Sequence, residues 1–194
     1  MSEAFAVYLL AGGQSKRMGE DKGLLLLNEK PVISHTIDAL RKLTDQIHII
    51  STDRRYHQFG LPVLPDHYGG IGPAAGIDAA LQHTVLSQVF ICSCDMPFIS
   101  SDAVQALADK AQYHEVSVCK NGKFVEPLFA VYKKQCKIKW RELLISGTTK
   151  LTDYFNHFDT NFVDSTEMLR KNPHLFFNVN SPTDLLLAKQ WLKK

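Results

Sequence analysis

An apolar run over residues 5–10 passes without a break into Ala11-Gly12-Gly13 and then into a polar turn carrying Lys16, Arg17 and Lys22. That order suits a phosphate-binding loop at the carboxyl end of a buried strand. Glycines lack Cβ, so backbone N–H groups can close on an anion. The cations then neutralise charge that backbone dipoles alone do not. The two common phosphate-loop patterns, G-x-x-x-x-G-K-[ST] and G-x-G-x-x-G, do not fit. Taken alone, Gly12 and Gly13 are equally a turn that ends a strand.

The rest of the chain gives that strand a context. Runs of strand type at 5–10, 46–51, 62–64 and 89–94 alternate with helix-like segments at 32–43, 74–86 and 101–113. Ile33, Ile37, Leu40 and Arg41 have helical spacing, and Pro31 stands near the start of their segment. Ser100 or Ser101 caps the third segment, with Asp102 in its first turn. Alternation of this kind predicts a parallel sheet with crossover helices, an α/β fold. After residue 115 the pattern changes. Two strand-like runs, 115–119 and 124–132, flank Lys120-Asn121-Gly122-Lys123, and Asn-Gly between such runs predicts a hairpin. An antiparallel addition in the second half is therefore expected. Helices are expected at 133–145 and 149–155, and strands at 158–163 and 176–179. Ser181-Pro182-Thr183-Asp184 opens a last helix, with Ser as cap and Pro at its first position. With no repeat, low-complexity tract or linker, residues 1–194 are expected to form a single domain.

Composition narrows the classes. A net charge of +2 over 194 residues argues against nucleic acid and against a membrane surface as partners. None of the four cysteines, Cys92, Cys94, Cys119 and Cys136, forms a C-x-x-C pair. A reducing cytoplasm is expected rather than a disulfide framework. The histidines show no H-E-x-x-H pattern, which disfavours zinc. There is no signal-peptide layout and no apolar run that would span a bilayer.

In an open α/β sheet, ligands bind beyond the carboxyl ends of the strands. Ser51 and Asp53 follow the second strand, Asp66 the third, and Asp95-Met96-Pro97 the fourth. Asp95 directly follows a buried run, where its carboxylate either holds Mg²⁺ or fixes the turn before a helix. Asp66, after Pro65, reads as readily as a loop residue. Gly69-Gly70-Ile71-Gly72-Pro73-Ala74-Ala75-Gly76 is a second glycine-dense segment. It either faces an anion or a base edge at a helix N-terminus or is a plain loop, with Gly76 permitting close helix packing.

Together these pieces resemble the molybdenum cofactor guanylyltransferase family, in the Rossmann-like nucleotidyltransferase superfamily. The stretch from Leu10 to Lys22, LAGGQSKRMGEDK, is similar to the family's LAGG-x-S-x-RMG-x-DK signature. Gly72-Pro73-Ala74-Ala75-Gly76 resembles its GPLAG segment, and Cys94-Asp95-Met96-Pro97 its CD-x-P metal motif. Glu126-Pro127-Leu128-Phe129-Ala130 resembles its PL-x-A strand, and Asn178-Val179-Asn180-Ser181-Pro182-Thr183-Asp184-Leu185 its NVN-[ST]-P-x-[DE]-L close. The blocks come in the family's order and span nearly the whole chain. The first is long and specific; each of the others is weak alone.

The resemblance implies a three-layer α/β/α fold with a mostly parallel Rossmann-like sheet. It implies Mg²⁺-dependent transfer of GMP from GTP to molybdopterin, with release of pyrophosphate. Leu10, Ala11, Gly12 and Gly13 would line the nucleotide, Lys22 and Arg17 would contact its phosphates, and Ser51 and Asp66 would recognise it. Asp95 would bind Mg²⁺. Asn178 and Asn180 would lie on the pterin side, although either also reads as a turn residue before the last helix. A molybdenum-inserting enzyme or the final molybdoenzymes would be partners for hand-over. Ser51 stands where relatives often have Asn, and Ala74 where they usually have Leu, which touches fine specificity rather than reaction type. Related enzymes that use CTP or make sugar nucleotides more often have Ala-Ala-Gly at Gly12-Gly13; by that analogy the second glycine removes a methyl group beside the base and leaves room for a purine. The competing readings are a related enzyme using CTP or a sugar phosphate, and a non-catalytic nucleotide-binding regulator.

Overall fold

The computed structural model describes residues 4–12, 21–69 and 71–193. The strand β1 (Ala6–Leu10) is buried along its whole length. Val7 and Leu9 pack into one core and Ala6, Tyr8 and Leu10 into another, the two-residue alternation of a strand covered on both faces. Its neighbours are parallel on both sides. A small hairpin, β2 (Leu26–Leu27) with β3 (Lys30–Pro31), precedes helix α1 (Val32–Leu40) and strand β4 (Ile47–Ile50). The short β5 (Val63–Leu64), helix α2 (Pro73–His83), strand β6 (Gln88–Ser93) and helix α3 (Ser101–Lys110) complete the first half.

Next come β7 (Val116–Asn121), β8 (Phe124–Lys133), α4 (Lys137–Ile145), α5 (Leu151–Tyr154), β9 (Thr160–Asp164), α6 (Thr166–Lys171) and α7 (Pro182–Trp191). Among the described residues the main sheet has seven strands in the order β5-β4-β1-β6-β8-β7-β9. The β5–β4, β4–β1, β1–β6 and β7–β9 pairings are parallel, and β8 runs against both of its neighbours. The mostly parallel sheet with an antiparallel addition is therefore present.

The expected helices cover the two faces. Ile33, Ile37 and Leu40 of α1 and Val104 and Leu107 of α3 join Val7 and Leu9. Ile77, Ala80 and Leu81 of α2 and Trp140 and Leu144 of α4 join Tyr8 and Leu10. This is a three-layer α/β/α arrangement. The close approach of α2 to β1 depends on Gly76: a Cβ there would stand 2.9 Å from Leu10 Cδ2.

Local signals worked where short-range chemistry decides. Ser100, not Ser101, caps α3, its Oγ accepting from the Ala103 N–H at 3.3 Å. Ser181 caps α7 through the Asp184 N–H at 3.2 Å, and the Asp184 carboxylate reaches back to accept from the N–H of Asn180, the residue before the cap. The Asn121-Gly122 signal marks the β7–β8 turn, with Gly122 at a φ of 57°. The register slips between Val118 and Cys119, and the extra residues of β8 include Pro127, which has no N–H to give a ladder.

Some boundaries differ. Helix α1 stops at Leu40 rather than 43, the segment expected helical over 133–145 starts as a 3-10 turn over Lys134–Cys136, and the helix expected over 149–155 is one turn of α5 followed by a 3-10 turn over Phe155–His157. The strand expected over 176–179 is not formed. Its backbone bonds go to scattered partners, Phe177 N–H to the His174 carbonyl and Val179 N–H to the Asp95 carbonyl, so no ladder develops. The aromatic character there serves packing instead: Phe176 stands edge-on to Phe129, with ring centroids 5.2 Å apart. No helix among the described residues is long and apolar enough to cross a membrane.

Candidate active site

Backbone pairing carries on one residue past the strands at the carboxyl edge. Ala11 N–H donates to Ile50, Cys94 N–H to Leu10, and Ser51 N–H to Leu64. The residues that follow therefore emerge along one edge, in the order Asp66, Ser51, Gly12, Asp95. The β5 and β6 ends stand three strand spacings apart, about 14 Å. Asp66 and Asp95 follow those two ends, a spacing on the scale of one elongated ligand.

Leu10 and Ala11 are buried and Gly12 is exposed. Among the described residues, a Cβ built at Gly12 would meet no atom within 4 Å. Gly13, Lys16 and Arg17 lie outside the described residues, as does Gly70.

Asp95 is 7% exposed at the end of β6. The Ser93 hydroxyl donates to its Oδ1 at 2.6 Å, and Lys22 Nζ lies 3.7 Å from its Oδ2. Burial pushes the carboxyl pKa up, against the opposing pull of Ser93 and Lys22. The carboxylate is thus short of positive charge, the condition a bound cation relieves. Lys22 begins a 3-10 turn, Lys22–Leu24, capped by Asp21, whose Oδ1 accepts from the Gly23 N–H at 3.0 Å. Its Nζ also donates to Asn180 Oδ1 at 2.5 Å. Asn180 is therefore brought to Lys22 and Asp95. Asn178 is engaged in a local turn, its Nδ2 donating to the Phe176 carbonyl at 2.9 Å.

Ser51 is buried, and its Oγ accepts from the Asp53 N–H at 3.1 Å. Asp53 itself is occupied: it caps the 3-10 helix Arg54–Phe59 and takes a side-chain ion pair with Arg55, which holds its carboxyl pKa down. Asp66 differs, because its Oδ1 is buried with no hydrogen-bond partner. A carboxylate oxygen in that state wants a donor. Gly72, at a φ of 94°, starts α2 with no side-chain cap, and Trp140 Nε1 holds the first turn through the Ala74 carbonyl at 3.0 Å.

Among the described residues no group of three or more His, Cys, Asp or Glu side chains could hold a metal alone. Asp95 fits Mg²⁺ nonetheless, since that ion typically takes one or two carboxylates and completes its shell with substrate phosphates and water. The four cysteines are buried and free. Burial lifts the Cys92 and Cys94 thiols well above their usual range, so beside Asp95 they pack as small apolar groups. Sequence reasoning missed Ser93, Asp21 and Tyr56. A hydroxyl two residues before the metal candidate signals the first, and the Asp-Lys pair the second. Nothing local marks Tyr56.

The sheet order and the acidic strand end give a Rossmann-like α/β/α protein with a candidate site along its carboxyl edge. The sequence matches the MobA-like NTP transferase domain over residues 7–160. It is 35% identical over 186 residues to a probable molybdenum cofactor guanylyltransferase of Pelotomaculum thermopropionicum, covering 93% of this chain and 90% of that one. It is 36% identical over 186 residues to the molybdenum cofactor guanylyltransferase of Vibrio vulnificus, covering 91% of each. The fold is similar to the crystal structure of molybdopterin-guanine dinucleotide biosynthesis protein A from Archaeoglobus fulgidus, with a TM-score of 0.84, 22% identity, and coverage of 97% and 99% of the two chains. The chain belongs to the MobA-like NTP transferase family, among the molybdenum cofactor guanylyltransferases. It is a nucleotidyltransferase.

Proposed function

We propose that this enzyme transfers GMP from GTP to molybdopterin, forming the guanine dinucleotide cofactor and releasing pyrophosphate. The observation that carries the reading is Lys22: its ammonium group reaches both Asp95 and Asn180 at the carboxyl edge. The names of the relatives support molybdopterin as acceptor and guanine as base.

The reactants are both polyanions, so the barrier is mainly repulsion and positioning. The backbone at Ala11 and Gly12 would line the nucleotide, since a glycine lets backbone N–H groups approach a phosphate closely. Lys22, with Arg17, would neutralise the β- and γ-phosphates as pyrophosphate leaves. Ser51 and Asp66 would bind the nucleoside end, where the unpartnered Asp66 Oδ1 suits an N–H or O–H donor. Asn180 shares Lys22 with Asp95 and so would face the acceptor, with Asn178 shaping the loop behind it. Asp95 would hold Mg²⁺, which when bound offsets charge on phosphate oxygens. No general base is required, since a phosphate oxygen of the acceptor is already ionised near neutral pH. Hand-over of the product to a molybdenum-inserting enzyme or a molybdoenzyme belongs to the same reading.

The test is pyrophosphate release measured with purified protein, MgGTP and molybdopterin, each omitted in turn. Release that needs all three supports the reading. Binding of MgGTP with no release in the presence of molybdopterin would favour a non-catalytic role.

A further inference from the structure

Tyr56 is fully buried in the 3-10 helix Arg54–Phe59, the element that follows β4 and Ser51. Its hydroxyl donates a short hydrogen bond to Asp21 Oδ1. That same oxygen caps the turn of Lys22 through the Gly23 N–H. On its other side the hydroxyl lies 3.9 Å from Cys94 Sγ, the residue before Asp95. Gly23 fits between them only as glycine: a Cβ would stand 2.5 Å from the Tyr56 hydroxyl and 3.0 Å from Cys94 Sγ. Three separate strand exits, after β1, β4 and β6, thus meet at one phenol.

Phenylalanine would fill the ring's volume without burying a hydroxyl, so the oxygen calls for an explanation beyond packing. Its partner is a carboxylate that sets the start of the turn of Lys22, and Lys22 is the cation facing Asp95. We infer that Tyr56 is a positioning residue: its hydroxyl fixes Asp21, and through it the capped turn that aims Lys22 at the nucleotide's outer phosphates. This inference rests on the role proposed above for Lys22. It links the element carrying Ser51, at the nucleoside end, to the cation at the phosphate end.

A residue that acts through Lys22 has two signatures that a merely structural one lacks. Its loss is felt by GTP and not by GMP, which has no β- and γ-phosphates. Its loss also disappears once the Lys22 side chain is gone, because coupled residues do not add. The experiment measures calorimetric affinity for MgGTP and for GMP in the wild type, Tyr56→Phe, Lys22→Ala and the double variant. Tyr56→Phe is expected to weaken MgGTP about fivefold and to leave GMP unchanged. In the Lys22→Ala background it is expected to change neither. Asp21→Ala, at the half-buried side of the same joint, must give the same GTP-selective loss, and it serves as the test should Tyr56→Phe fail to fold. Equal loss for GTP and GMP, equal loss in both backgrounds, or no loss overturns the inference. If Lys22→Ala weakens MgGTP while Tyr56→Phe does not, the Tyr56 inference alone fails. If Lys22→Ala leaves MgGTP unchanged, the assignment of Lys22 fails and takes the inference with it.

Discussion

Lys22 Nζ stands 3.7 Å from Asp95 Oδ2, joining residues 73 positions apart in the sequence across the mouth of β1 and β6. Asp95 is buried and Lys22 is partly open, with side-chain exposures of 11% and 29%. The pair therefore offers a solvent-facing cation in front of a desolvated carboxylate. That polarity suits a ligand carrying phosphates and a metal ion together.

Replacing Asp95 with Asn keeps the shape and removes the charge. Turnover is expected to fall at least a hundredfold, as for loss of a preorganised electrostatic group. Stability moves the other way. Burial holds the folded-state carboxyl pKa above its unfolded value. The folded state then binds more protons, so the metal-free enzyme loses stability as pH rises from the unfolded pKa through the raised one. Asp95→Asn removes that loss, and thermal unfolding at neutral pH without Mg²⁺ should show a midpoint equal to or above that of the wild type. A lower midpoint would mean that the carboxylate stabilises the fold.

Ser93 donates to Asp95 at 2.6 Å and pulls its pKa down. Ser93→Ala should move the acid limb of the pH–rate profile to higher pH, with a loss at pH 7 of a few-fold to about tenfold. An unmoved limb with reduced turnover would assign that limb to another group.

Lys22→Ala is expected to cost about 2–4 kcal/mol of transition-state stabilisation, the scale for one preorganised donor. Steady-state kinetics in MgGTP measures it, and a change below tenfold would place Lys22 outside the site.

Away from the site, Arg141 pairs with Asp78, whose carboxylate is 1% exposed, and the pair ties α4 to α2 at a closest distance of 2.8 Å. Removing the arginine leaves a buried charge short of its partner. Because Arg141 is partly open to water and Gln82 also reaches Asp78, the cost should fall below the 3–5 kcal/mol of a fully buried pair, at about 2 kcal/mol. Urea unfolding of Arg141→Ala checks the loss, and adding Asp78→Asn should restore part of it. No recovery would show that the loss comes from packing rather than charge.

What the sequence made legible was whatever short-range chemistry or periodicity controls. The buried apolar strand β1, the Asn-Gly turn and the Ser181-Pro182 start all stand in the structure. So does the shared carboxyl edge at which Gly12, Ser51, Asp66 and Asp95 follow parallel strands, although their order across the sheet was not readable. What escaped depends on distant partners. The 3-10 helix over Arg54–Phe59 looks polar and loop-like, and the burial of its tyrosine makes sense only beside Asp21, 35 positions earlier. The apolar run 176–179 has strand composition, yet its amides find Asp95 and His174 instead of a ladder. Asn178 and Asn180 read alike in sequence, and only the arrival of Lys22 separates them.

The most direct test of the account is to incubate the purified protein with molybdenum-loaded molybdopterin, Mg²⁺ and GTP, CTP or ATP, and weigh the product by mass spectrometry. The expected product is the guanine dinucleotide, formed with GTP alone. Product with CTP would keep the site and contradict the base, and no product with any nucleotide, from folded protein that binds MgGTP, would contradict the reaction.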